Sequence, residues 1–380
     1  MKQQITPMDL RSVNTMLYEL TCLRRWSEVL VDPGKYTELA KQAFNSMIAY
    51  LWACEAIYEG VSINWTIFPK IAISRGFVKS YQCDIPEHNL ERIFELGNVS
   101  KNDFSEKIWE QIRALISEDF NDLLAFNPEC IEARIYKAAT KLGTLIELQE
   151  IQNGISKKEY TKKLKQLQHD FKSFSDLPGY EKMQSENYME VFRDYSQLRN
   201  RIRWAKHPNI IKNSVLGHHY DVAVFSYLMY LEVNPTYAKK PSREAIATKY
   251  FFIGIFHDFP EKWTGDMPSP VKDSIPGLRK ATEEFENEVM KENVYSLLPD
   301  YQVKNLRDVM LEDESNAYYK AFSKISDYFG AFIECWRELD AGSRHNYYLD
   351  VMKRDFDKKE DLPKNFRLLT EELYGSVYFH

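Results

Sequence analysis

Side chains of the types that hold a divalent cation gather in the C-terminal half: His218, His219, His257, Asp258 and Asp327. Imidazole nitrogen together with carboxylate oxygen suits Mn, Co, Fe, Ni or Zn. His257-Asp258 ends the nearly uncharged segment YFFIGIFHD. A carboxylate there is costly to bury unless it is paired or bound to a cation. Neighbouring residues on a helix point about 100° apart, so an ion over the helix flank can take both side chains. The other ligands must come from separate helices, as in bundle metal sites. His218 and His219 open one helical run and Asp327 lies inside another, KISDYFGAFIECW. Glu261 follows the dipeptide closely, where a carboxyl serves as general acid or base. The same dipeptide at His169-Asp170 sits in the polar context KKLKQLQHDFKS without partner ligands, and no role is assigned to it.

Upstream, Arg201, Arg203 and Lys206 surround Trp204. Arginine suits bidentate phosphate binding, and tryptophan offers a wall for a sugar or base. Taken alone, RNRIRWAKH also reads as a solvated helix face with one buried tryptophan. Downstream, Pro260 disturbs the helix end, and Thr264, Gly265, Asp266 and Pro268 read as a tight loop beside the site.

The elements that must position these groups are helices. Apolar residues recur at three and four positions over Ala40 to Tyr58, Phe104 to Phe120, Tyr220 to Leu231 and Tyr318 to Leu339. With few strand patterns, the fold class expected is all-α. Ser156 to Lys172, rich in Lys, Gln and Asp, reads as a solvated connecting helix closed by Asp176-Leu177-Pro178-Gly179. The expected units are residues 1–155, a connecting helix and linker at 156–190, and 191–380.

An internal similarity runs across that boundary. IAISRGFVKSYQCDIP (Ile71 to Pro86) aligns without a gap with IGIFHDFPEKWTGDMP (Ile253 to Pro268), 182 residues later. Arg25-Trp26 matches Arg203-Trp204, AYL at Ala49 matches SYL at Ser226, and Tyr136-Lys137-Ala138 matches Tyr319-Lys320-Ala321. Chance similarity of amphipathic helices is the plain alternative, but order and spacing favour two diverged copies. In the first copy Arg75-Gly76 replace His257-Asp258, Lys41-Gln42 fall near His218-His219, and Thr144 falls near Asp327. No metal ligand survives there, so the first half is expected to hydrolyse nothing. Arg25, Trp26 and Asp84 remain, either as packing residues or as a metal-free site for a regulatory nucleotide.

Composition narrows the classes further. The chain has 380 residues, 44% hydrophobic and 28% charged, as expected of a globular protein rather than a disordered one. A net charge of −6 speaks against broad binding to nucleic acid or an anionic membrane. No segment reaches the roughly 18 apolar residues of a membrane span, and the start MKQQITPMDL lacks a signal-peptide core. The five cysteines are scattered without a CxxC pair, which argues against a disulfide framework or structural zinc. A cytoplasmic location is expected.

Together the motifs resemble the HD-domain phosphohydrolases, and within them the YfbR-like 5′-deoxynucleotidases. The resemblance covers about Arg201 to Ser343 and rests on Arg203-Trp204, His218, HDFPEKWTGDMPSPVK (His257 to Lys272) and Asp327. It implies an all-α bundle with His218, His257, Asp258 and Asp327 as ligands of one divalent ion. It implies Glu261 as acid/base, Arg203 on the phosphate, and Trp204 and Asp266 on the sugar. The implied reaction removes phosphate from (deoxy)nucleoside 5′-monophosphates by attack of a metal-bound water. Two departures bear on substrate preference: Gly217 stands where the family has Glu, and His219 replaces a small polar residue and competes as a ligand. The long N-terminal addition leaves open a nucleoside triphosphate hydrolase of the HD superfamily, or a non-catalytic nucleotide sensor or scaffold. The resemblance also implies a homodimer, or a monomer whose first half takes the partner's place.

Overall fold

The computed structural model describes residues 5–32, 34–83, 85, 87–233, 242–265, 267, 269–272, 274–312 and 316–378. Among them the chain is helical, and extended pairing is limited to two isolated bridges. The first half carries α1 (Pro7–Cys22), α2 (Glu38–Tyr58), α3 (Ile67–Gln82), α4 (Glu87–Gly97), α5 (Lys101–Arg113), α6 (Glu118–Leu124) and α7 (Ile131–Glu150). Then come α8 (Lys157–Lys172), α9 (Glu186–Ser196), α10 (Val215–Val233), α11 (Ser242–Phe256), α12 (Glu261–Thr264) and α13 (Ser269–Lys272). The chain ends with α14 (Leu278–Met290), α15 (Asp300–Val309), α16 (Ala317–Asp340), α17 (Asn346–Phe356) and α18 (Lys364–Tyr378).

Local chemistry starts these helices where hydroxyl side chains can take orphan N–H groups. Thr6 and Asp9 form a reciprocal capping box on α1. Thr37 accepts from the Ala40 amide at 3.2 Å to start α2, and Ser117 from the Phe120 amide at 3.2 Å to start α6. The single helix expected over Phe104 to Phe120 is therefore two: α5 stops at Arg113, and Ser117 caps a new helix in another direction.

Two helices form the centre. Glu38 to Ala56 of α2 is buried at every position, as is Val215 to Leu231 of α10. A helix apolar all round belongs inside a larger assembly, and α2 and α10 pack on each other. One continuous apolar core joins residues of both halves, from Leu10 and Trp52 to Phe251 and Phe366. The polar helix α8 is not a free connector: Tyr160, Leu164 and Leu167 pack with Trp26, Leu148 and Ile151.

The two halves repeat one local structure. Arg24 bridges Thr37 and Ile202 bridges Ser214. Arg25 N–H donates to Tyr36 at 2.7 Å, and Arg203 N–H to Asn213 at 2.9 Å. Trp26 and Trp204 both take φ 58°, in the left-handed region that costs a non-glycine residue of order 1 kcal/mol. Thr37 caps α2 through Ala40, and Ser214 caps α10 through Gly217 at 3.1 Å. Lys41 and Gln42 thus stand at the places of His218 and His219. The match along the last helix needs correction by one turn. Glu147 of α7 receives Trp26 and Arg25 as Glu334 of α16 receives Trp204 and Arg203, which places Thr140, not Thr144, opposite Asp327. The three-residue similarity at Tyr136 follows composition; the buried carboxylate sets the register.

Candidate metal centre

Helix α10 brings His218 into the core within its first turns, and α11 delivers His257 and Asp258 just past its last residue, Phe256. The pair lies on the turn leading to α12 rather than on the helix flank, because Pro260 cannot continue the ladder. Gly254 makes this possible: a Cβ there would lie 2.5 Å from the Ala223 backbone, so only glycine lets α11 approach α10 this closely.

One ligand atom each from His218, His257 and Asp258 lies within 4.8 Å of the other two. His257 Nδ1 is 2.8 Å from the Gly254 carbonyl, which can only accept. His218 Nδ1 is 3.1 Å from Glu334 Oε1, a buried carboxylate oxygen. Each histidine thus has an outer acceptor beside its Nδ1, which leaves Nε2 as the nitrogen that would bind a cation at the common point, the arrangement outer partners impose on metal-binding imidazoles. His257 Nε2 and Asp258 Oδ2 stand 3.0 Å apart without a hydrogen bond from that nitrogen. Two acceptors facing one point fit a cation between them. Asp327, partly exposed on α16, joins through His218: its Oδ1 is 2.9 Å from His218 Nε2.

The electrostatics agree. Burial and Arg203 pull the His218 pKa down, but Glu334 and Asp327 outweigh them and hold it at about 9, so without an ion the ring is protonated on both nitrogens between two carboxylates, and a cation would take the place of the Nε2 proton. Burial alone would raise Asp258; His257, His219 and His218 hold it far below the ordinary carboxylate range. Burial likewise opposes the ionised form of Glu334, and Arg203 and His218 keep it ionised.

His219 faces a different set. Its Nδ1 is 3.1 Å from the Tyr195 hydroxyl, which itself donates to the Ile255 carbonyl at 2.5 Å. Its ring centroid is 4.8 Å from that of His257, and burial with His257 beside it keeps its pKa well below the usual histidine value. His219 lies outside the cluster of three.

Arg203 and Trp204 sit behind His218. Arg203 Nε donates to Glu334 Oε2 at 2.8 Å, and Trp204 Nε1 donates to the same oxygen at 3.0 Å. Asn213 Nδ2 donates to Glu334 Oε1 at 2.8 Å. Of the expected cationic cluster, Arg201 instead anchors the turn after the site through the Lys262 carbonyl at 2.9 Å, and Lys206 is exposed. Glu261 is buried on α12, and its amide donates to the Asp258 carbonyl at 3.1 Å. Asp266 and Asp84 lie outside the described residues. His169-Asp170 stays apart, with Asp170 paired to Lys141 at 3.1 Å.

Two groups escaped the sequence reading. Glu334 organises four donors, and its only signal was a lone charge seven residues after Asp327 on the same helical face. Lys272 closes the HDFPEKWTGDMPSPVK block and pairs with Glu286 at 3.2 Å. Burial pulls its pKa down, but Glu286, Asp258 and Glu261 outweigh this and raise it. A half-buried cation thus stands within electrostatic reach of both catalytic candidates.

The comparisons with known proteins fall on this half. The family model "5′-deoxynucleotidase YfbR-like" matches residues 187–362. A 5′-deoxynucleotidase of Vibrio atlanticus (strain LGP32) is 26% identical over 145 residues, 38% of this chain and 72% of the relative. One of Vibrio vulnificus is 25% identical over 158 residues, 42% of this chain and 78% of the relative. One of Photorhabdus laumondii is 24% identical over 162 residues, 43% of this chain and 79% of the relative. The helical fold around His218, His257 and Asp258 and these matches agree, and residues 187–362 are similar to the YfbR-like 5′-deoxynucleotidases, HD-type hydrolases.

Proposed function

We propose that the C-terminal half removes phosphate from (deoxy)nucleoside 5′-monophosphates, using one divalent ion (Mn, Co, Fe, Ni or Zn) held by His218, His257, Asp258 and Asp327. The observation that carries the reading is the convergence of three ligand atoms within 4.8 Å, with an outer acceptor beside Nδ1 of both histidines. A divalent ion bound there supplies an acidified water as nucleophile near neutral pH. Asp258 joins ion binding to catalysis at the reacting centre. Arg203, oriented by Glu334, holds the phosphate, and Trp204 and Asp266 bind the sugar. Lys272 adds positive charge where negative charge develops. Glu261, when protonated, donates to the leaving sugar oxygen. A nucleotide substrate and a cytoplasmic setting belong to the same reading; nucleic acid and membrane do not.

The first half is, in this reading, a diverged copy (residues 1–155, joined by 156–190 to 191–380) that takes a partner's place within one chain. Support comes from the repeated Arg-Trp turn and the α2–α10 contact. Solution mass measurement tests it: a monomer is expected, and a dimer built through the C-terminal halves alone contradicts it.

A phosphate-release screen over nucleoside mono-, di- and triphosphates with several metals tests the activity. Release from monophosphates is expected; release from triphosphates alone turns the assignment to a triphosphate hydrolase, and none at all to a sensor or scaffold. Asp258→Ala abolishes ion binding and hydrolysis together, and a fully active variant would sink the assignment.

A further inference from the structure

In the first half the places of the ion ligands are taken by cations. Lys41 stands at the position of His218, and Arg75 at that of His257. Most of the charge around them is accounted for. Arg25 pairs with Glu38 at 2.9 Å and Glu147 at 3.1 Å, and Trp26 Nε1 donates to Glu147 at 3.3 Å. Lys41 lies 3.3 Å from Glu147, and Arg199 pairs with Glu150 at 3.0 Å. Arg25 and Trp26, whose types suggested a nucleotide site, are thus held by Glu38 and Glu147.

Arg75 is not. It makes no hydrogen bond or ion pair with any described residue, its Nε is buried, and its one close partner is the Tyr136 ring at 5.8 Å. The residue as a whole is only partly buried, so a small ion can reach it. Lys79, one turn along α3, lies near enough for its charge to act on Glu38. Beside Arg75 in the chain, the Ser74 hydroxyl is buried without a partner. A desolvated guanidinium without acceptors is costly, and its fork matches phosphate oxygens bidentately.

We propose that Arg75 anchors an anion site in the N-terminal half, where a phosphate-bearing small molecule occupies the place matched to the metal centre. The ligand is either free phosphate or the phosphate of a nucleotide; both present the same oxygens to the guanidinium. The site rests on the correspondence between the halves and not on the hydrolytic activity. Its test reads binding in a chain whose C-terminal ion site is disabled, so the two readings fail separately.

The experiment titrates inorganic phosphate, and separately a deoxynucleoside monophosphate, into the full-length Asp258→Ala protein by calorimetry. The Asp258→Ala/Arg75→Gln protein is measured alongside. Saturable binding that weakens at least tenfold on Arg75→Gln is the expected result. A tenfold preference for the nucleotide over phosphate assigns the ligand as a nucleotide, and equal affinities assign free phosphate. Because Arg75 has no acceptor among the described residues to lose, Arg75→Gln leaves the melting temperature of the phosphate-free chain unchanged or higher. Arg75→Lys, which keeps the charge and loses the fork, gives an intermediate affinity. No saturable binding, or binding unchanged by Arg75→Gln, overturns the proposal, as does a phosphate-free Arg75→Gln chain that melts lower.

Discussion

Replacing Glu334 by glutamine changes one atom at the back of the metal centre and should be read out at its front. Glu334 Oε1 accepts from Asn213 at 2.8 Å and His218 at 3.1 Å, and Oε2 accepts from Arg203 at 2.8 Å and Trp204 at 3.0 Å. An amide nitrogen at either position meets two donors. The less costly choice puts it at Oε1, where Asn213 can flip its amide and His218 can move its proton; Arg203 and Trp204 have no such freedom. Moving that proton to Nε2 removes the lone pair His218 turns toward the ion. Breaking a buried ion pair costs about 3–5 kcal/mol of stability. Loss of an outer partner of a metal-binding histidine costs about 10- to 100-fold in ion affinity. Urea unfolding measures the first and competition with a chromophoric chelator the second. Glu147→Gln is the matched control: Glu147 meets Arg25, Trp26 and Lys41 at 3.1–3.3 Å in the first half. It should lose similar stability and keep its ion affinity. A Glu334→Gln protein whose ion affinity lies within about twofold of the parent would refute the tautomer argument.

Glu261→Gln should lower kcat about 100- to 10,000-fold while leaving ion affinity unchanged, measured by phosphate release and chelator competition. Gly254→Ala, with its Cβ 2.5 Å from the Ala223 backbone, should cost about 1–3 kcal/mol in urea unfolding and weaken ion binding by displacing His257. Gly375→Ala, with open space around the Cβ, should be neutral or stabilise by up to about 1 kcal/mol. Lys41 predicts a pH signature: burial pulls its pKa down to about 7 despite the nearby Glu147 carboxylate, with Arg25 and Arg199 adding to the fall. The unfolded chain therefore holds a proton the folded chain lacks between about pH 7 and 10.4, and this group's contribution to stability rises with pH over that window. Unfolding of the parent and Lys41→Met at pH 7, 8 and 9 should show their stability difference shifting toward the parent as pH rises; a pH-independent difference contradicts it.

Much of the centre was legible because its parts carry their own signals. His257-Asp258 stood out as a carboxylate after an apolar run, His218 with His219 at the start of a helical run, and Asp327 in an apolar helix. Glu334 was not legible, since its four donors come from Arg203, Trp204, Asn213 and His218, which only folding brings together. The same physics separates Arg201 from Arg203. Both sit in one basic run, yet Arg201 anchors a turn through the Lys262 carbonyl while Arg203 meets a buried carboxylate.

By itself the sequence determined the helical class and carried the candidate ion-binding residue types, since side-chain chemistry and periodicity are local properties. Tertiary structure alone decided the rest. It set the register of α7 against α16, the single core around α2 and α10, and the contrast between Arg25, neutralised by two carboxylates, and Arg75, left with none among the described residues. The physical reason is that whether a buried charge is matched depends on groups more than a hundred residues away, which no local pattern records.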